Sequence, residues 1–443
     1  MSLKERILWV DNARGIGIAL VFYQHALEAL RIYDYVEPIK MGKMWHAFVV
    51  QGFFVLVGIF LTFPQIGLWS FFKRRFLQRI VPVIFFTVLI TPFGMLWEQP
   101  LTKADVENSL KLAVSSPNIQ ENYSIQENYS IQGNAGGSQV PTTHVRAVSR
   151  DIAKMDMATK QRVLNNDVGD RLLRLLGGWA ATLCGIPILS WTSWFLVSLF
   201  TAEILLYVLM PQANSLGRKV ALAAALYSIG WAIPQYLPAK AGFVFGVLQL
   251  YILRECAVVA SFILFGQIIK ELLLNFGKQD KKIILIGVVL SGLAVLLTFD
   301  LNNVVLPAGR EDIAHLVYGT TIMAFSVHGE YLPYLFTSLA GALWMVSLGM
   351  LLPVWRLLQA CGKYSLILMG INGLFLHYIN YWFWGGITLP NSVLVVSVVG
   401  AVYAVLTLLL CLPLAKLLDK YLPQWTGRPQ ANGPWLKPLM KAP

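Results

Sequence analysis

Residues Trp9–Leu30 read WVDNARGIGIALVFYQHALEAL, an apolar stretch long enough to cross a bilayer that nevertheless contains ionisable side chains. Four of them, Asp11, Arg14, His25 and Glu28, fit a stripe about 100° wide on one helix face, because successive residues lie ~100° apart. Arg14 and His25 are separated by about 16 Å along the axis. Since a charge inside a bilayer costs a few kcal/mol or more, such residues usually mark function. The stretch predicts a first membrane helix with a polar face.

The whole chain has the composition of a membrane protein. Of its 443 residues, 56% are hydrophobic and 13% are charged, and the mean hydropathy is +0.61, whereas soluble domains carry about 25% charged residues. The net charge of +12 is therefore attributed to membrane topology, and no nucleic-acid partner is expected. Four cysteines are scattered through apolar stretches without metal-ligand or CxxC spacing, so we expect them to lie in the core.

Apolar runs of spanning length predict an all-α membrane protein with about ten transmembrane helices. They are expected near residues 15–30, 46–63, 80–97, 191–210, 220–236, 254–273, 283–299, 331–352, 364–384 and 391–412. Segments on the N-terminal side carry about four times as many Lys and Arg residues as the short connections on the other side. The positive-inside rule therefore predicts that both termini are cytoplasmic.

This topology divides the chain into four parts. They are 1–97, with the first three membrane helices; 98–178, a long extracytoplasmic insert; 179–412, with the remaining membrane helices; and 413–443, a basic cytoplasmic tail.

The insert contains IQENYS twice, at 119–124 and 125–130, and then a Gly-rich piece. Its polar composition predicts disorder over about 115–145. The charged amphipathic pattern over 145–176 predicts a helical cap on the outer loops or a helix along the outer membrane face.

His25 is the candidate general base, because an unperturbed imidazole accepts a proton near neutral pH. Glu28, three residues later, could orient the ring or stabilise the imidazolium. The structural alternative is a histidine satisfied by a neighbouring helix, with Glu28 at the outer surface.

The order Asp11-Asn-Ala-Arg14-Gly15, with ten residues between Arg14 and His25, resembles the signature of the acyltransferase 3 family, membrane-bound enzymes that O-acylate sugars. A basic run at 73–79 matches the point where the family has an arginine pair and a proline that open its third helix. Arg75 and Arg79 share a helical face. Their guanidinium groups would suit the phosphates of coenzyme A, although positive-inside anchoring also explains the run. Arg14 could join them or pair with Asp11.

Two further motifs resemble the family. Trp194–Phe200 (WFLVSLF) matches its Trp-Phe-Leu-x-x-Leu-Phe run, and Glu203, deeper in that helix, either pairs with a buried cation or lines the site. Residues 362–366 (GKYSL) match Gly-Lys-x-Ser-Leu, which in the family leads to a histidine, here His377. Lys363 could meet a phosphate or anchor the helix, and Asn372 could line the pocket.

The resemblance implies a multi-pass O-acyltransferase of the bacterial inner (cytoplasmic) membrane. The donor would be an acyl-CoA, with acetyl-CoA expected, and neither a tightly bound cofactor nor a metal is expected. The acceptor would be a lipid-linked or polymeric sugar of a surface or exported polysaccharide, and glycan-assembly proteins are candidate partners besides membrane lipids. His25 would deprotonate the sugar hydroxyl, with direct transfer and an acyl-His25 relay both open.

The expected roles divide the candidate residues into three groups. They are His25 and Glu28 in catalysis; Arg14, Arg75, Arg79 and Lys363 at the donor phosphates; and Asp11, Trp194, Glu203, Asn372 and His377 at the substrate. Two other functions fit the same helix pattern: a transporter or flippase for a lipid-linked glycan, and a non-catalytic subunit of a polysaccharide assembly complex.

Overall fold

The structure is a computed structural model. It describes residues 8–30, 38–97, 176, 178–180, 182–183, 192–236, 244–273, 280–308, 320–353, 355–375, 379–385, 387, 389–390 and 392–441. The chain divides into two compact units, one formed by Met1–Phe93 and Trp179–Pro443 and the other by Gly94–Gly178. Within the second unit, the tandem repeat and, apart from residue 176, the predicted helix over 145–176 lie outside the described residues.

The described residues form thirteen α-helices. They are α1 (Leu8–Leu30), α2 (Pro38–His46), α3 (Val49–Phe60), α4 (Leu68–Trp97), α5 (Ser193–Leu209), α6 (Leu216–Tyr236), α7 (Val244–Leu273), α8 (Lys281–Thr298), α9 (Tyr331–Leu351), α10 (Arg356–Lys363), α11 (Ser365–Leu374), α12 (Asn380–Gly385) and α13 (Val393–Tyr421). Two short antiparallel strands, β1 (Val304–Val305) and β2 (His328–Gly329), pair Val304 with Gly329. The predicted all-α class is confirmed for this part of the chain.

Six stretches among the described residues are long and apolar enough to cross a membrane. They are Gly42–Phe60, Leu68–Phe93, Ser193–Gln212, Lys281–Leu301, Tyr331–Leu351 and Val393–Tyr421. Two-thirds of the first (67%) but only 6% of Lys281–Leu301 is buried inside the protein, so α3 is central and α8 peripheral. The protein is a multi-pass membrane protein, while the total of ten spans and the cytoplasmic position of both termini stay predictions.

At least three helices extend well beyond the apolar runs that predicted them, and one of these is α7, which begins at Val244 rather than near residue 254. Helix α4 begins at Leu68 rather than near residue 80, so the whole basic run 73–79 is helical. Helix α13 continues to Tyr421 rather than ending near 412. Hydropathy locates the segment that suits lipid, but the backbone hydrogen bonds of a helix continue past it wherever charged side chains can reach a partner or solvent.

The segment after α13, predicted only as a basic tail, lies against α4 and α11. The Trp425 ring is 6.2 Å from that of Phe85 in α4. Gln424 is fully buried and donates hydrogen bonds to two backbone carbonyls within the segment, at 2.9 and 2.6 Å. Gly427 has φ +94°, and a Cβ there would lie 3.1 Å from Leu366. A glycine therefore permits both this turn and its close approach to α11.

Helix α1 contacts α2, α3, α9 to α13 and so has protein on most of its faces. Glycines bring its neighbours close. A Cβ on Gly15 would overlap the Leu358 carbonyl in α10, and one on Gly362 would overlap the carbonyl of Asp11. Helices α1 and α10 thus meet backbone to backbone beside Arg14 and Lys363.

A buried polar cluster joins the β1–β2 strand pair to helices α3, α7 and α9. His328 Nε2 lies 3.4 Å from Glu255 Oε1 of α7, and both side chains are fully buried. The ring of Tyr334 stacks on that of His328 with centroids 5.6 Å apart, and Gln51 of α3 donates to the Tyr334 hydroxyl at 2.6 Å. This cluster is separate from the basic cavity described below, because none of its members lines that cavity.

Candidate active site

A cavity of about 390 Å³ lies where α1, α3, α4, α5, α10 and α11 meet. Its lining is strongly basic on one side, with a single carboxylate among the lining residues. The charged members are Arg14, Arg74, Arg75, Arg79, Lys363 and Glu203. The remaining wall is mostly apolar and includes Phe53, Phe195, Leu199 and Met369. The cavity can therefore bind a ligand that is anionic at one end and apolar at the other.

Glu203 is fully buried and organises the arginines of α4. Arg79 donates to its two carboxylate oxygens at 2.9 and 3.3 Å, and Arg75 Nε lies 3.5 Å away. Arg75 also donates to Gln78 at 3.1 Å, and its guanidinium carbon lies 5.0 Å from the Phe71 ring centre. Of the two alternatives for Glu203, the structure combines both, because the residue pairs with buried cations and also lines the cavity.

Helix α5 contributes the apolar wall. Phe195 lines the cavity and stacks on Phe54 of α3 with ring centroids 4.7 Å apart. Trp194, the neighbour that the motif singled out, is buried edge-to-face against Phe195 and is not among the lining residues. Trp194 thus packs against Phe195 and does not line the cavity itself.

Arg14 and Lys363 reach the cavity from α1 and α10, each beside one of the glycines that let these helices touch. Lys363 is exposed, and its Nζ lies 4.8 Å from the centre of the Tyr364 ring. Asp11, one turn before Arg14, is buried against α10 and is not a lining residue. The Arg14-Gly15 and Gly362-Lys363 pairs of the two motifs therefore lie together where α1 meets α10.

His25 lies further along α1 and is half-buried. Its Nδ1 is hydrogen-bonded to Oδ1 of Asn372, a buried residue of α11. Since a carbonyl oxygen only accepts, Nδ1 donates in this contact, and in the neutral imidazole the lone pair is then on Nε2. Asn380 of α12 donates to the His25 carbonyl at 3.2 Å and accepts from Tyr403 at 2.8 Å. Asn372 thus holds the ring of His25, and Asn380 holds its backbone.

Glu28 does not orient this ring. Its Oε1 lies 2.7 Å from Nε2 of a second imidazole, His46 at the end of α2, and accepts from Gln24 at 3.2 Å. His46 was missed from the sequence because it lies on another helix. One pattern in the sequence could have indicated such a residue. Gln24 and Glu28 are four positions apart and share a helix face, and polar side chains that are buried need a polar partner.

The cavity approaches His25 through α11. Met369 lines the cavity, and Asn372, which holds the His25 ring, follows it by three residues, a rise of about 4.5 Å. On α1 itself the face between Arg14 and His25 carries Ile18 and Val21, both buried. The predicted polar face of this helix is therefore interrupted by an apolar middle, and neither His25 nor Asn372 is a lining residue of the cavity.

Two expectations stay untested, the role of His377 at the substrate and the absence of a bound metal. His377 lies outside the described residues. Among the residues that are described, no three or more His, Cys, Asp or Glu side chains gather as they would to hold a metal ion.

Comparison with known proteins adds one result to this geometry. A family model described as an acyltransferase domain, that of acyltransferase 3, matches residues 7–416. Neither the curated proteins nor the solved structures gave a significant match. Because the match runs over nearly the whole chain, including α1, the cavity and His25, the chain belongs to the acyltransferase 3 family and is a membrane acyltransferase.

Proposed function

We propose that this acyltransferase moves an acyl group, in the first instance acetyl, from cytoplasmic acyl-CoA to a sugar hydroxyl. The acceptor is a surface or exported polysaccharide, or its lipid-linked precursor, at the bacterial cytoplasmic membrane. One observation carries the proposal: a cavity with five basic side chains also has Met369 in its lining, about one helical turn before Asn372, the residue that holds His25. Membership of an acyltransferase family favours this function over the transporter and flippase alternative.

The basic side of the cavity suits the phosphates of coenzyme A. Glu203 offsets part of the positive charge of Arg75 and Arg79, which leaves a net positive wall. Arg74 has a buried Nε with no hydrogen-bond partner in the described part of the chain. Guanidinium groups bind phosphate oxygens in pairs, and Lys363 adds a point charge at the exposed rim.

The apolar side suits the other end of the donor. Phe53, Phe195 and Met369 line the route from the phosphates towards Asn372. A thioester and its acyl group carry no charge, so burial among these side chains costs little. The donor carbonyl would then lie near His25, with water largely excluded.

His25 supplies the base. Its Nε2 takes the proton of the acceptor hydroxyl while that oxygen attacks the thioester carbonyl, and the C–S bond then breaks to release coenzyme A as a thiolate that regains a proton. In the relay version, Nε2 first attacks the thioester and the hydroxyl then displaces the acyl group from the ring. Asn372 fits either route, because it fixes the tautomer that keeps the Nε2 lone pair free.

The test is His25→Ala in the host cell. General-base catalysis contributes about 100-fold or more, so we expect acylation of the surface glycan, measured by mass spectrometry, to fall at least that far while the protein still inserts in the membrane. Purified His25→Ala protein should bind coenzyme A as the wild type does, because His25 is not a lining residue of the cavity. Normal glycan acylation by this variant would refute the proposal and would favour a non-catalytic subunit.

A further inference from the structure

We propose that Gln24 and Trp45, held by the Glu28–His46 pair, form the subsite that binds the acceptor hydroxyl beside His25. This inference rests on the proposed function, since it assumes that the acceptor is a hydroxyl-rich molecule such as a carbohydrate. Gln24 and Trp45 contact the acceptor, whereas Glu28 and His46 are positioning residues.

The carboxamide of Gln24 is fixed by its neighbours. Its Nε2 lies 2.9 Å from His46 Nδ1 and 3.2 Å from Glu28 Oε1, so both amide hydrogens have acceptors. His46 Nε2 in turn lies 2.7 Å from Glu28 Oε1. If Nε2 of the imidazole donates to the carboxylate, Nδ1 is left to accept from the amide, whose nitrogen lies 2.9 Å from Nδ1 and 3.0 Å from Nε2. The three side chains thus lock the direction in which the Gln24 carbonyl points.

Two buried polar atoms are left over at this point. Within the described part of the chain, Gln24 Oε1 and Trp45 Nε1 have no hydrogen-bond partner. One is an acceptor and the other a donor, and leaving such atoms unsatisfied inside a protein is costly. A hydroxyl group is both donor and acceptor, so the hydroxyl groups of a ligand can satisfy both kinds of atom. Both atoms are closed to water in this structure, so such a ligand enters only when the surrounding side chains move.

The two atoms belong to the same contact between α1 and α2. Gln24 touches His46, and its neighbour Tyr23 lies edge-to-face with Trp45 at 6.3 Å between ring centroids. Trp45 also lies 5.9 Å from the Phe48 ring. Aromatic rings with a polar edge suit a ligand that has apolar C–H faces and hydroxyl groups, as sugars do.

The subsite is next to the base. Around α1, Glu28 lies between Gln24 and His25, about 40° from the first and about 60° from the second. A hydroxyl-rich ligand held by Gln24 therefore has a second hydroxyl within reach of the half-buried His25 ring. The donor comes from the α11 side of that ring through Met369 and Asn372, and the acceptor from the α2 side, so the two substrates do not compete for space.

The experiment compares glycan acylation with donor binding in the full-length protein. Variants Gln24→Ala, Trp45→Phe and His46→Ala are expected to lower acylation of the host surface glycan, measured by mass spectrometry, at least 10-fold. Purified in lipid nanodiscs, they should bind coenzyme A within 2-fold of the wild-type affinity. Glu28→Gln, which keeps an acceptor oxygen, should retain more acylation than Glu28→Ala.

Lys43→Ala is the matched control, because Lys43 lies on α2 as well but bonds Asp300 at 3.0 Å, away from this cluster. Acylation by Gln24→Ala at the level of Lys43→Ala would overturn the subsite, as would an equal loss of coenzyme A binding in all the variants. Failure of the proposed function would give a different result. The His25→Ala variant would then acylate the glycan normally, whatever the activity of Gln24→Ala.

Discussion

Arg79 donates two hydrogen bonds to the buried carboxylate of Glu203, from Nη2 at 2.9 Å and from Nε at 3.3 Å. The two residues are 124 positions apart in the sequence and come from different helices. A bidentate pair of this kind fixes the plane of the guanidinium group. Arg79 is therefore the anchored member of the basic wall, while Arg74 and Lys363 make no such pair with any of the described residues and are better placed to bind a ligand.

Removing only Arg79 should destabilise the protein. Arg79→Ala removes both hydrogen bonds to a fully buried carboxylate and leaves it only the longer contact with Arg75 at 3.5 Å. Breaking a buried ion pair costs up to ~3–5 kcal/mol. We expect a lower midpoint of thermal unfolding in detergent, and a recovery of most of that loss in Arg79→Ala/Glu203→Ala. Arg74→Ala serves as the control with an unchanged midpoint. A double variant less stable than Arg79→Ala would show that the pair does not act in this way.

Asn372 should matter for rate and not for donor affinity. Asn372→Ala frees the His25 ring to rotate and to change tautomer, and a misplaced catalytic group can cost about 100-fold in rate. Asn372→Asp, which keeps an oxygen at the same position, should retain more glycan acylation than Asn372→Ala. Asn303→Ala, which removes an exposed bond to Glu330, is the control, and equal activity of all three variants would contradict the role of Asn372.

Donor affinity should depend on Arg74 and Lys363. A hydrogen bond to a charged group contributes about 1.5–3 kcal/mol, and 1.4 kcal/mol is tenfold in affinity. Arg74→Ala and Lys363→Ala should therefore each weaken coenzyme A binding by about 10-fold or more, measured by calorimetry in nanodiscs.

Lys420 provides the matched control, because its Nζ lies 5.2 Å from the Tyr421 ring, much as Lys363 lies over Tyr364, but outside the cavity. If Lys420→Ala weakened binding as much as Lys363→Ala, the effect would be one of overall charge and not of the cavity.

The glycines between α1 and α10 should not tolerate a side chain. Gly15→Ala and Gly362→Ala would each drive a methyl group into a backbone carbonyl, and such overpacking costs about 1–3 kcal/mol or more. Both variants should unfold at lower temperature and bind coenzyme A less well, because Arg14 and Lys363 would move apart. Gly217→Ala in α6 is the control, because a Cβ there meets nothing within 4 Å. It should leave the unfolding temperature and the coenzyme A affinity unchanged. Full coenzyme A affinity in Gly362→Ala would refute this account.

The Glu255–His328 pair should matter for stability alone. Glu255→Ala removes the carboxylate that lies 3.4 Å from a buried imidazole, and a lower midpoint of thermal unfolding is expected. The double variant Glu255→Leu/His328→Phe replaces both groups with apolar ones and should recover much of that loss. Coenzyme A affinity of the double variant should equal that of the wild type. A fold-intact double variant that fails to bind coenzyme A would show that this cluster contributes to the donor site.

Much of the candidate site could be named from the sequence, but its arrangement could not. Helical spacing placed Arg75 and Arg79 on one face, and the structure brings that face to Glu203. The same spacing predicted that Glu28 orients the ring of His25, whereas its carboxylate contacts His46 on α2. Spacing reports which side chains share a face, and it carries no information on which helix covers that face.

The sequence by itself determined that this chain spans a membrane, roughly where its apolar helices run, and which ionisable residues enter them. Burial of apolar surface and the cost of intramembrane charge depend on local composition, so they can be read one segment at a time. Only the tertiary structure decided that Asn372 holds His25, that Glu203 anchors Arg79, and that α4 and α13 continue past their apolar runs. Those outcomes depend on contacts between residues far apart in the chain, and such contacts exist only once the helices have packed.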